Sequence, residues 1–351
     1  MDLNLNNLKK NDYQVVCFEA PSNIALIKYW GKKNNQQPIN PSISYTLSGC
    51  KTTFQVFFRE KKEDLPVRKF FFDGKEANDF SKKSSALIEK ISSDYPILRS
   101  LDLVLNSKNT FPHSSGIASS ASSMCALSLC LLKIVGVEDK EIISNYSRQG
   151  SGSASRSIYG GLVSWGESEV IKNSSDNFAS SLSGEIPKSM LDIGDAVILI
   201  DEGVKKVSSS LGHSLMNDHS HRESRIYNAK RRYEKLIEAM KESDFSSWGE
   251  IIEQEALELH AMMMTSETPY ILIKPGTLNV IEKVQNFRWK KSVPIYFTLD
   301  AGPNVHLLYP LSYEKEVLSF IKSELSEYDK NKKIIFDRVG VGPKELMGLS
   351  L

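Results

Sequence analysis

The sequence predicts an α+β protein built from two mixed units, and three observations lead to this prediction. Strand-like runs rich in β-branched and aromatic residues occur together with helical patterns in both halves of the chain. A stretch rich in Ser, Asn and Gly, residues 173–184, separates the halves. The length of 351 residues fits roughly two domains. We therefore expect an N-terminal domain of residues 1–187 and a C-terminal domain of residues 188–351.

The first half is expected to combine several strands with one strong helix. The helix is expected at residues 124–137, the most apolar stretch of the chain. Ser128 and Lys133 interrupt this stretch, and it is shorter than the ~20 residues that span a bilayer, so we expect a buried helix. The strands of this half are expected at residues 15–18, 52–58, 69–72, 101–105 and 162–165.

The second half is expected to open with a strand at residues 196–200 and to continue with two long helices, 219–241 and 247–263. Ser247 and Glu250 have the spacing of a capping box, which predicts that the second helix begins there. An amphipathic helix is expected around residues 317–325. The remaining strands are expected at residues 295–299, 305–308 and 333–336.

Composition excludes several functional classes. The net charge of +1 offers no global excess for a nucleic acid or an anionic membrane, so charged ligands must be met by local sites. Four cysteines without a CxxC pair support neither a disulfide framework nor a zinc ribbon. Residues 1–12 lack the apolar core of a secretion signal. We expect a cytoplasmic protein without nucleic-acid or membrane partners.

A loop of very small residues, 109–123, leads directly into the apolar helix. Free N–H groups at a helix N-terminus, the helix dipole and serine hydroxyls together form a site for an anion such as phosphate. The same composition also fits a loop that only caps a core helix. The spacing matches neither the P-loop nor the Rossmann pattern, so those two nucleotide sites are excluded.

Other segments carry charges among small residues. Arg156 follows a run of Gly and Ser, so its guanidinium could bind a carboxylate or phosphate in a bidentate manner. A structural ion pair between Arg156 and a neighbouring acidic residue explains the pattern equally well. Residues 205–210 join two lysines to three serines and suggest either another phosphate site or a surface loop. Lys28 and Lys32 flank an aromatic pair. Asp300 lies at the end of an apolar strand. It is either a residue that favours the following turn or a carboxylate that faces a cleft.

With these segments taken together, the chain resembles the diphosphomevalonate decarboxylase family of the GHMP kinase superfamily. The strings at residues 28–32 and 300–304 are specific to the decarboxylases, whereas the Ser-rich loop is shared with kinases of the superfamily. The matching segments keep the family's order over nearly the whole chain: residues 23–32, 41–47, 111–112, 116–121, 150–156, 207–209, 259–261, 300–304 and 339–343.

The resemblance implies a GHMP kinase-like two-domain fold. Its N-terminal domain would be like ribosomal protein S5 domain 2, and its C-terminal domain would be a ferredoxin-like α/β sandwich. The implied activity is ATP-dependent decarboxylation of (R)-5-diphosphomevalonate to isopentenyl diphosphate, with release of ADP, phosphate and CO₂. ATP with Mg²⁺ and a homodimer are also implied, and no residue is assigned as a protein ligand of the metal.

The resemblance also implies residue roles. Asp300 would orient or deprotonate the tertiary 3-hydroxyl, Arg156 would hold the C1 carboxylate, and Lys28 would supply positive charge beside them. The substrate's diphosphate would be bound by Tyr29, Lys32, Ser151, Ser153, Ser208 and Ser209. The nucleotide would be bound by Ser114, Ser115, Gly116, Ser119, Ser120 and Ser123.

Three alternative functions stay open at the level of sequence. A decarboxylase of the monophosphate would use the same acid with a smaller anion site. A GHMP small-molecule kinase would stop at the phosphorylated product, which the string at residues 300–304 argues against. A silent nucleotide-binding regulator would have no reason to keep Lys28, Arg156 and Asp300 together.

Overall fold

The computed structural model describes residues 2–77, 81–112, 117–201, 203, 209–331 and 333–346. Within these ranges the strands form two sheets, one of eight strands and one of four. Helices lie against both sheets, which confirms the predicted α+β class.

The larger sheet is built mainly from the first half of the chain. Its strand order is β12-β1-β2-β5-β3-β4, and β6 and β7 extend it from β2. All described pairs are antiparallel except β3 with β5. Burial alternates along residues 50–56 of β2, as expected for a strand with one face on a core. The strands are β1 Gln14–Ile27, β2 Ser42–Glu60, β3 Arg68–Phe72, β4 Lys75–Glu76, β5 Leu101–Asn109, β6 Leu162–Trp165, β7 Ala179–Ser181 and β12 Lys344–Glu345.

The central helix of this half is buried on nearly all sides, between the sheet and other helices of the same half. Its side chains from Met124 to Leu132 are all buried, and the Ser122 hydroxyl lies 2.6 Å from the Thr52 hydroxyl of β2. This confirms the predicted buried helix, which begins earlier and ends earlier than expected. The helices of this half are α1 Leu5–Lys10, α2 Ser81–Asp94, α3 Ser119–Ile134 and α4 Lys140–Gly150, and a 3-10 helix, Gly152–Ile158, follows α4.

The smaller sheet belongs to the second half and has the order β11-β8-β10-β9, all antiparallel. One face of this sheet is covered by two helices, Pro275–Lys291 (α8) and Glu314–Glu324 (α9). Val284 and Phe320 of these helices form a hydrophobic core with Phe297 and Leu307 of the sheet. The strands are β8 Ile193–Ile198, β9 Tyr296–Leu299, β10 Val305–Pro310 and β11 Ile334–Arg338. The helices are α5 Ser209–Ser214, α6 Arg222–Glu242, α7 Phe245–Met264, α8 Pro275–Lys291, α9 Glu314–Glu324 and α10 Ser326–Lys330.

The two halves share a core. Tyr45 of β2, Val197 of β8 and Trp248 of α7 belong to one buried cluster. The carboxylate of Asp337 on β11 accepts hydrogen bonds from the backbone N–H groups of residues 48, 49 and 50, at 2.9, 2.7 and 2.7 Å. A cavity between the halves therefore has walls fixed by packing and by hydrogen bonds.

Some local predictions need correction. The capping box of Ser247 and Glu250 is wrong, because α7 begins at Phe245 and the Asp244 side chain accepts from the N–H groups of Ser246 and Ser247. Helices α2, α4 and α8 were not predicted. The boundary near residue 187 lies between β7 and β8 in the chain and stays a prediction.

All four cysteines are free and buried. Among the described helices none is long and apolar enough to cross a membrane.

Candidate active site

A cavity of about 900 Å³ lies between the two halves of the chain. The end of β1, the start of α3, the segment after α4, helices α5 and α7, and the turn after β9 all contribute to its wall. Nine of the residues singled out from the sequence lie along this wall: Lys28, Tyr29, Lys32, Ser119, Ser120, Ser151, Ser153, Arg156 and Asp300. The fold thus brings together segments that are far apart in the sequence.

Lys28 directly follows β1 and is 2% exposed. Its Nζ donates a hydrogen bond to the carbonyl of Ala25 at 2.6 Å and lies 3.9 Å from Oδ1 of Asp300. Burial lowers the pKa of Lys28 to about 8, although the nearby carboxylates of Asp300 and Glu255 act to raise it. This amine is therefore poised to change its charge close to neutral pH.

The backbone of Lys28 is held by a buried ionic cluster on α6 and α7. Oε2 of Glu255 accepts the Lys28 N–H at 3.1 Å. Glu255 is itself bound by both terminal nitrogens of Arg225 at 2.8 Å, and Arg225 and Glu255 are fully buried. Because a paired buried carboxylate holds its position firmly, this cluster fixes where the amine enters the cavity.

Asp300 follows β9 directly, where the strand ends and the chain turns. Its side chain is 30% exposed and faces the cavity. Its backbone carbonyl is bound to Nε2 of His260 at 3.0 Å and accepts the N–H of Gly302 at 2.7 Å. The carboxylate is thus accessible while its backbone is held in place, which suits a general base.

Arg156 is 2% exposed and all its hydrogen-bond partners in the described structure are neutral. Its Nε and Nη1 donate to the hydroxyls of Ser44 and Ser42 at 2.9 and 2.7 Å, and its Nη2 donates to Oδ1 of Asn23 at 3.2 Å. Burial lowers the pKa of Arg156 to about 10, so the guanidinium is still charged at neutral pH. A buried cation held by neutral groups in a cavity wall is suited to an incoming anion.

The N-terminus of α3 opens on the same cavity. Its N-cap residue is Ala118, which has a left-handed backbone (φ 32°) and no side-chain acceptor for the first N–H groups. The hydroxyl of Ser120 lies 3.2 Å from that of Ser151, so the two small-residue loops meet here. Ser123 lies one turn further into α3, beyond the residues that line the cavity. Uncapped N–H groups, hydroxyls and the helix dipole favour an anion at this end.

Cations collect around Lys32 and form a cationic wall of the same cavity. Nζ of Lys32 donates to Oε1 of Gln36 at 3.1 Å, and burial, followed by the charge of Lys83, lowers its pKa. The hydroxyl of Tyr29 donates to the carbonyl of Gln36 at 2.9 Å. Lys82 and Lys83, in the first turn of α2, also line the cavity. Such a concentration of positive charge suits a polyphosphate.

Several predicted residues cannot be placed, and several residues in the wall were missed. Ser114, Ser115, Gly116 and Ser208 lie outside the described residues, and Ser209 is the first residue of α5. Sequence reasoning did not single out four polar residues that line the cavity: Gln36, Lys82, Lys83 and His213.

The possible metal ligands in the cavity wall suit a metal ion that binds together with the phosphates of a nucleotide, rather than one held by the protein alone. Asp300 is the single carboxylate among the described residues that line the cavity. No group of three or more His, Cys, Asp or Glu able to hold a metal occurs in the described part of the chain. Mg²⁺ bound with a nucleotide typically takes phosphate oxygens, waters and one or two protein ligands, which this wall can supply.

Known proteins share both the sequence pattern and the fold. Two family models match: the diphosphomevalonate decarboxylase-like N-terminal domain at residues 20–179 and the mevalonate 5-diphosphate decarboxylase C-terminal domain at residues 196–345. Diphosphomevalonate decarboxylase of Candida albicans is 28% identical, with 93% of this chain and 96% of the relative covered.

Solved structures agree over almost the whole chain. Mevalonate diphosphate decarboxylase from Staphylococcus aureus is 28% identical, with a TM-score of 0.84 and 96% of this chain and 99% of that chain covered. A structure described as MDDEF in complex with MVAPP, AMPPCP and magnesium is 29% identical, with a TM-score of 0.84 and 95% and 99% covered. The GHMP kinase-like fold is thereby confirmed. Since the two family models cover both halves and nine of the predicted residues line one cavity, this chain belongs to the diphosphomevalonate decarboxylase family.

Proposed function

We propose that this protein is an enzyme that decarboxylates (R)-5-diphosphomevalonate in an ATP-dependent reaction. The products are isopentenyl diphosphate, ADP, phosphate and CO₂. The observation that carries the proposal is a single cavity in which Asp300 lies 3.9 Å from a buried lysine, with a buried arginine and an open helix N-terminus in the same wall.

In the first step Asp300 accepts the proton of the 3-hydroxyl as that oxygen attacks the γ-phosphorus of ATP. Its partial exposure leaves the carboxylate room to reach the substrate, and its fixed backbone limits its orientations. The bond between the γ-phosphorus and its bridging oxygen breaks, and ADP leaves. A positioned general base contributes typically about 10²- to 10⁴-fold to such a rate.

In the second step the C3–O bond breaks and phosphate leaves with its electron pair. The electrons of the bond between C1 and C2 then form the double bond between C2 and C3, and C1 leaves as CO₂. Phosphorylation is needed because hydroxide is a poor leaving group and phosphate a good one. In this step the charged residues of the cavity stabilise the charges that develop on the leaving phosphate and on the substrate.

Arg156 is proposed to hold the C1 carboxylate until that bond breaks. Its guanidinium cannot drift, because two serine hydroxyls and one amide oxygen hold all three of its nitrogens. Lys28 is proposed to stabilise the negative charge of the transferring phosphoryl group and of Asp300. Charges that the fold already holds in place stabilise a developing charge without having to reorient first.

The nucleotide phosphates are proposed to lie at the N-terminus of α3, near Ser119 and Ser120. The assignment of Ser123, Ser114, Ser115 and Gly116 to the same site stays part of this proposal. Mg²⁺, when bound, would neutralise phosphate charge, with serine hydroxyls and Asp300 as the available protein oxygens nearby.

The substrate's diphosphate is proposed to lie at the cationic wall. Tyr29, Lys32, Ser151 and Ser153 line it, and Ser208 and Ser209 are assigned to it from the sequence. Lys82 and Lys83 add two further charges that a monophosphate would need less, which favours the diphosphate. We also propose that the enzyme is a cytoplasmic homodimer.

The experiment is to incubate the protein with ATP, Mg²⁺ and either the monophosphate or the diphosphate of mevalonate, and to follow CO₂ and phosphate. Release of both with the diphosphate is the expected result. A phosphorylated product without CO₂ would identify a kinase, and CO₂ from the monophosphate alone would change the substrate. Binding of ATP without turnover of either substrate would support a regulator.

A further inference from the structure

The cavity contains a histidine that none of these steps uses. His213 of α5 lines the wall and is 9% exposed. Its ring lies against Tyr29 and Trp30, with ring centroids 4.4 and 4.8 Å away. Its Nδ1 accepts a hydrogen bond from the backbone N–H of Gly31 at 3.0 Å. Residues from both halves of the chain therefore meet at this ring.

Two glycines permit this approach. Gly31 has a φ of +87°, and a Cβ there would lie 2.3 Å from Cδ1 of Ile39. A Cβ on Gly212 would lie 2.4 Å from Cη2 of Trp30. The left-handed backbone at Gly31 disfavours any other residue, and a side chain at Gly212 would press on the buried indole ring of Trp30, so glycine at both positions favours the close approach of helix α5 to Trp30. The backbone at Gly31 and Gly212 therefore helps to determine the position of His213.

The contact with Gly31 determines which ring nitrogen carries the proton. A backbone N–H can only donate, so Nδ1 must be the acceptor and the neutral ring carries its proton on Nε2. Burial, followed by the charge of Lys32, lowers the pKa of His213 to about 3, while the charge of Asp300 acts to raise it. Near neutral pH the side chain therefore presents a permanent N–H donor.

The Nε2 atom has no hydrogen-bond partner among the described residues, although the ring lines the cavity. We propose that Nε2–H of His213 donates a hydrogen bond to a phosphate oxygen of the substrate's diphosphate, beside Lys32. The inference rests on the proposed function and adds a binding residue to it. Lys32 lines the same cavity, and the ring of Tyr29, which belongs to the cationic wall, has its centroid 4.4 Å from that of His213, so the histidine lies beside that wall. An anionic phosphate oxygen is a stronger acceptor for this donor than a hydroxyl.

The test compares two substitutions at one position. His213→Asn keeps an acceptor for the Gly31 N–H but removes the donor that reaches into the cavity, and His213→Gln restores an N–H near the place of Nε2. A lost hydrogen bond to a charged group corresponds to about a ten- to hundred-fold rise in KM. We expect this rise for diphosphomevalonate and not for ATP in His213→Asn, with partial recovery in His213→Gln.

His219 offers a matched control. It is also a buried histidine whose Nδ1 accepts a backbone N–H, here of His221 at 3.0 Å. Its Nε2 is already bonded to the carbonyl of Met262 at 2.9 Å. We expect His219→Asn to lower stability without a selective change in the KM for diphosphomevalonate. An unchanged KM in folded His213→Asn would overturn the proposal, whereas an inactive parent protein would overturn the proposed function instead.

A second measurement needs no variant to fold. In the parent protein with ¹⁵N-labelled histidine, the ring nitrogens of His213 should show the Nε2–H tautomer throughout pH 6 to 8. Addition of inorganic diphosphate should shift the Nε2 signal and leave both ring signals of His219 unchanged. A protonated ring at pH 6, or no response of Nε2 to saturating diphosphate and to diphosphomevalonate, would overturn the proposal.

Discussion

The charge of Lys28 is predicted to depend on Asp300, and Asp300→Asn tests this dependence. The amine has a pKa of about 8 in the folded protein because it is buried, and the carboxylate 3.9 Å away acts to raise that value. Asparagine keeps the size of the side chain but removes its negative charge. The charged form of the amine then loses its nearest stabilising partner, so the pKa of Lys28 must fall further.

The size of the change follows from the distance. Two unit charges at about 4 Å interact by ~1 kcal/mol in water and by ~4 kcal/mol at an effective dielectric constant of about 20. Lys28 is 2% exposed and Asp300 is 30% exposed, so the pair lies between these limits. Since one pH unit corresponds to about 1.36 kcal/mol, the pKa of Lys28 is expected to fall by roughly one to three units. The amine would then be largely neutral at pH 7.5.

The assay is NMR of protein labelled with ¹³C at the lysine Cε atoms. The Lys28 signal is identified by its loss in Lys28→Arg, and its titration is followed in the parent and in Asp300→Asn. Glu314→Gln, which removes a partly exposed carboxylate that pairs with Arg338, serves as the control and should leave the Lys28 midpoint unchanged. Equal midpoints in the parent and in Asp300→Asn would refute the coupling of the two groups.

The other predictions concern turnover and nucleotide binding. Asp300→Asn should slow single-turnover CO₂ release by about 10²- to 10⁴-fold while both substrates still bind, and a rate within a few-fold of the parent would show that Asp300 is only a turn residue. Arg156→Lys keeps the charge but loses the planar fork, so turnover should fall by about 10²-fold with a smaller effect on Tm. A collapse of Tm with normal activity in the folded fraction would instead make Arg156 structural. Replacing Ser119 and Ser120 by phenylalanine should raise the KM for ATP strongly, and unchanged ATP dependence would place the phosphates elsewhere.

The sequence identified the charged residues Lys28, Arg156 and Asp300, which the fold brings to one cavity, but it missed other residues of the cavity wall. Asp300 and Arg156 could be found because small residues beside a charged group indicate a place where ligands approach closely. Lys82 and Lys83 could not, because lysines in the first turn of an ordinary helix look like a solvated surface until the fold turns that helix toward the cavity. His213 was missed for a similar reason, since its position depends on glycines in two distant segments.

The fold shows a comparable division. Strand β2 was found where its burial alternates, whereas the second half of β1, residues 20–27, is buried throughout and carries no alternation that a periodicity search could detect. Asp244 was missed as the N-cap of α7, because Ser247 and Glu250 offered a competing capping pattern three residues later. Where two local sequence patterns compete for the start of a helix, tertiary packing determines which of them is used.

A comparison of Arg156 with Arg225, the two most deeply buried arginines among the described residues, favours one of the interpretations that the sequence left open for Arg156. Arg225 is fully buried between the carboxylates of Glu255 and Glu258. Burial acts to lower its pKa, but these carboxylates overcome that effect and raise it. Arg156 is buried to the same degree, yet no carboxylate lies within 4.0 Å of it among the described residues, and its pKa is lowered to about 10. A buried charge without a counter-ion costs free energy in the empty protein, so packing alone would not favour it. An anionic substrate that enters the cavity supplies the missing counter-ion of Arg156. A neutral ligand would leave the guanidinium unpaired, so the site favours a carboxylate over a neutral group.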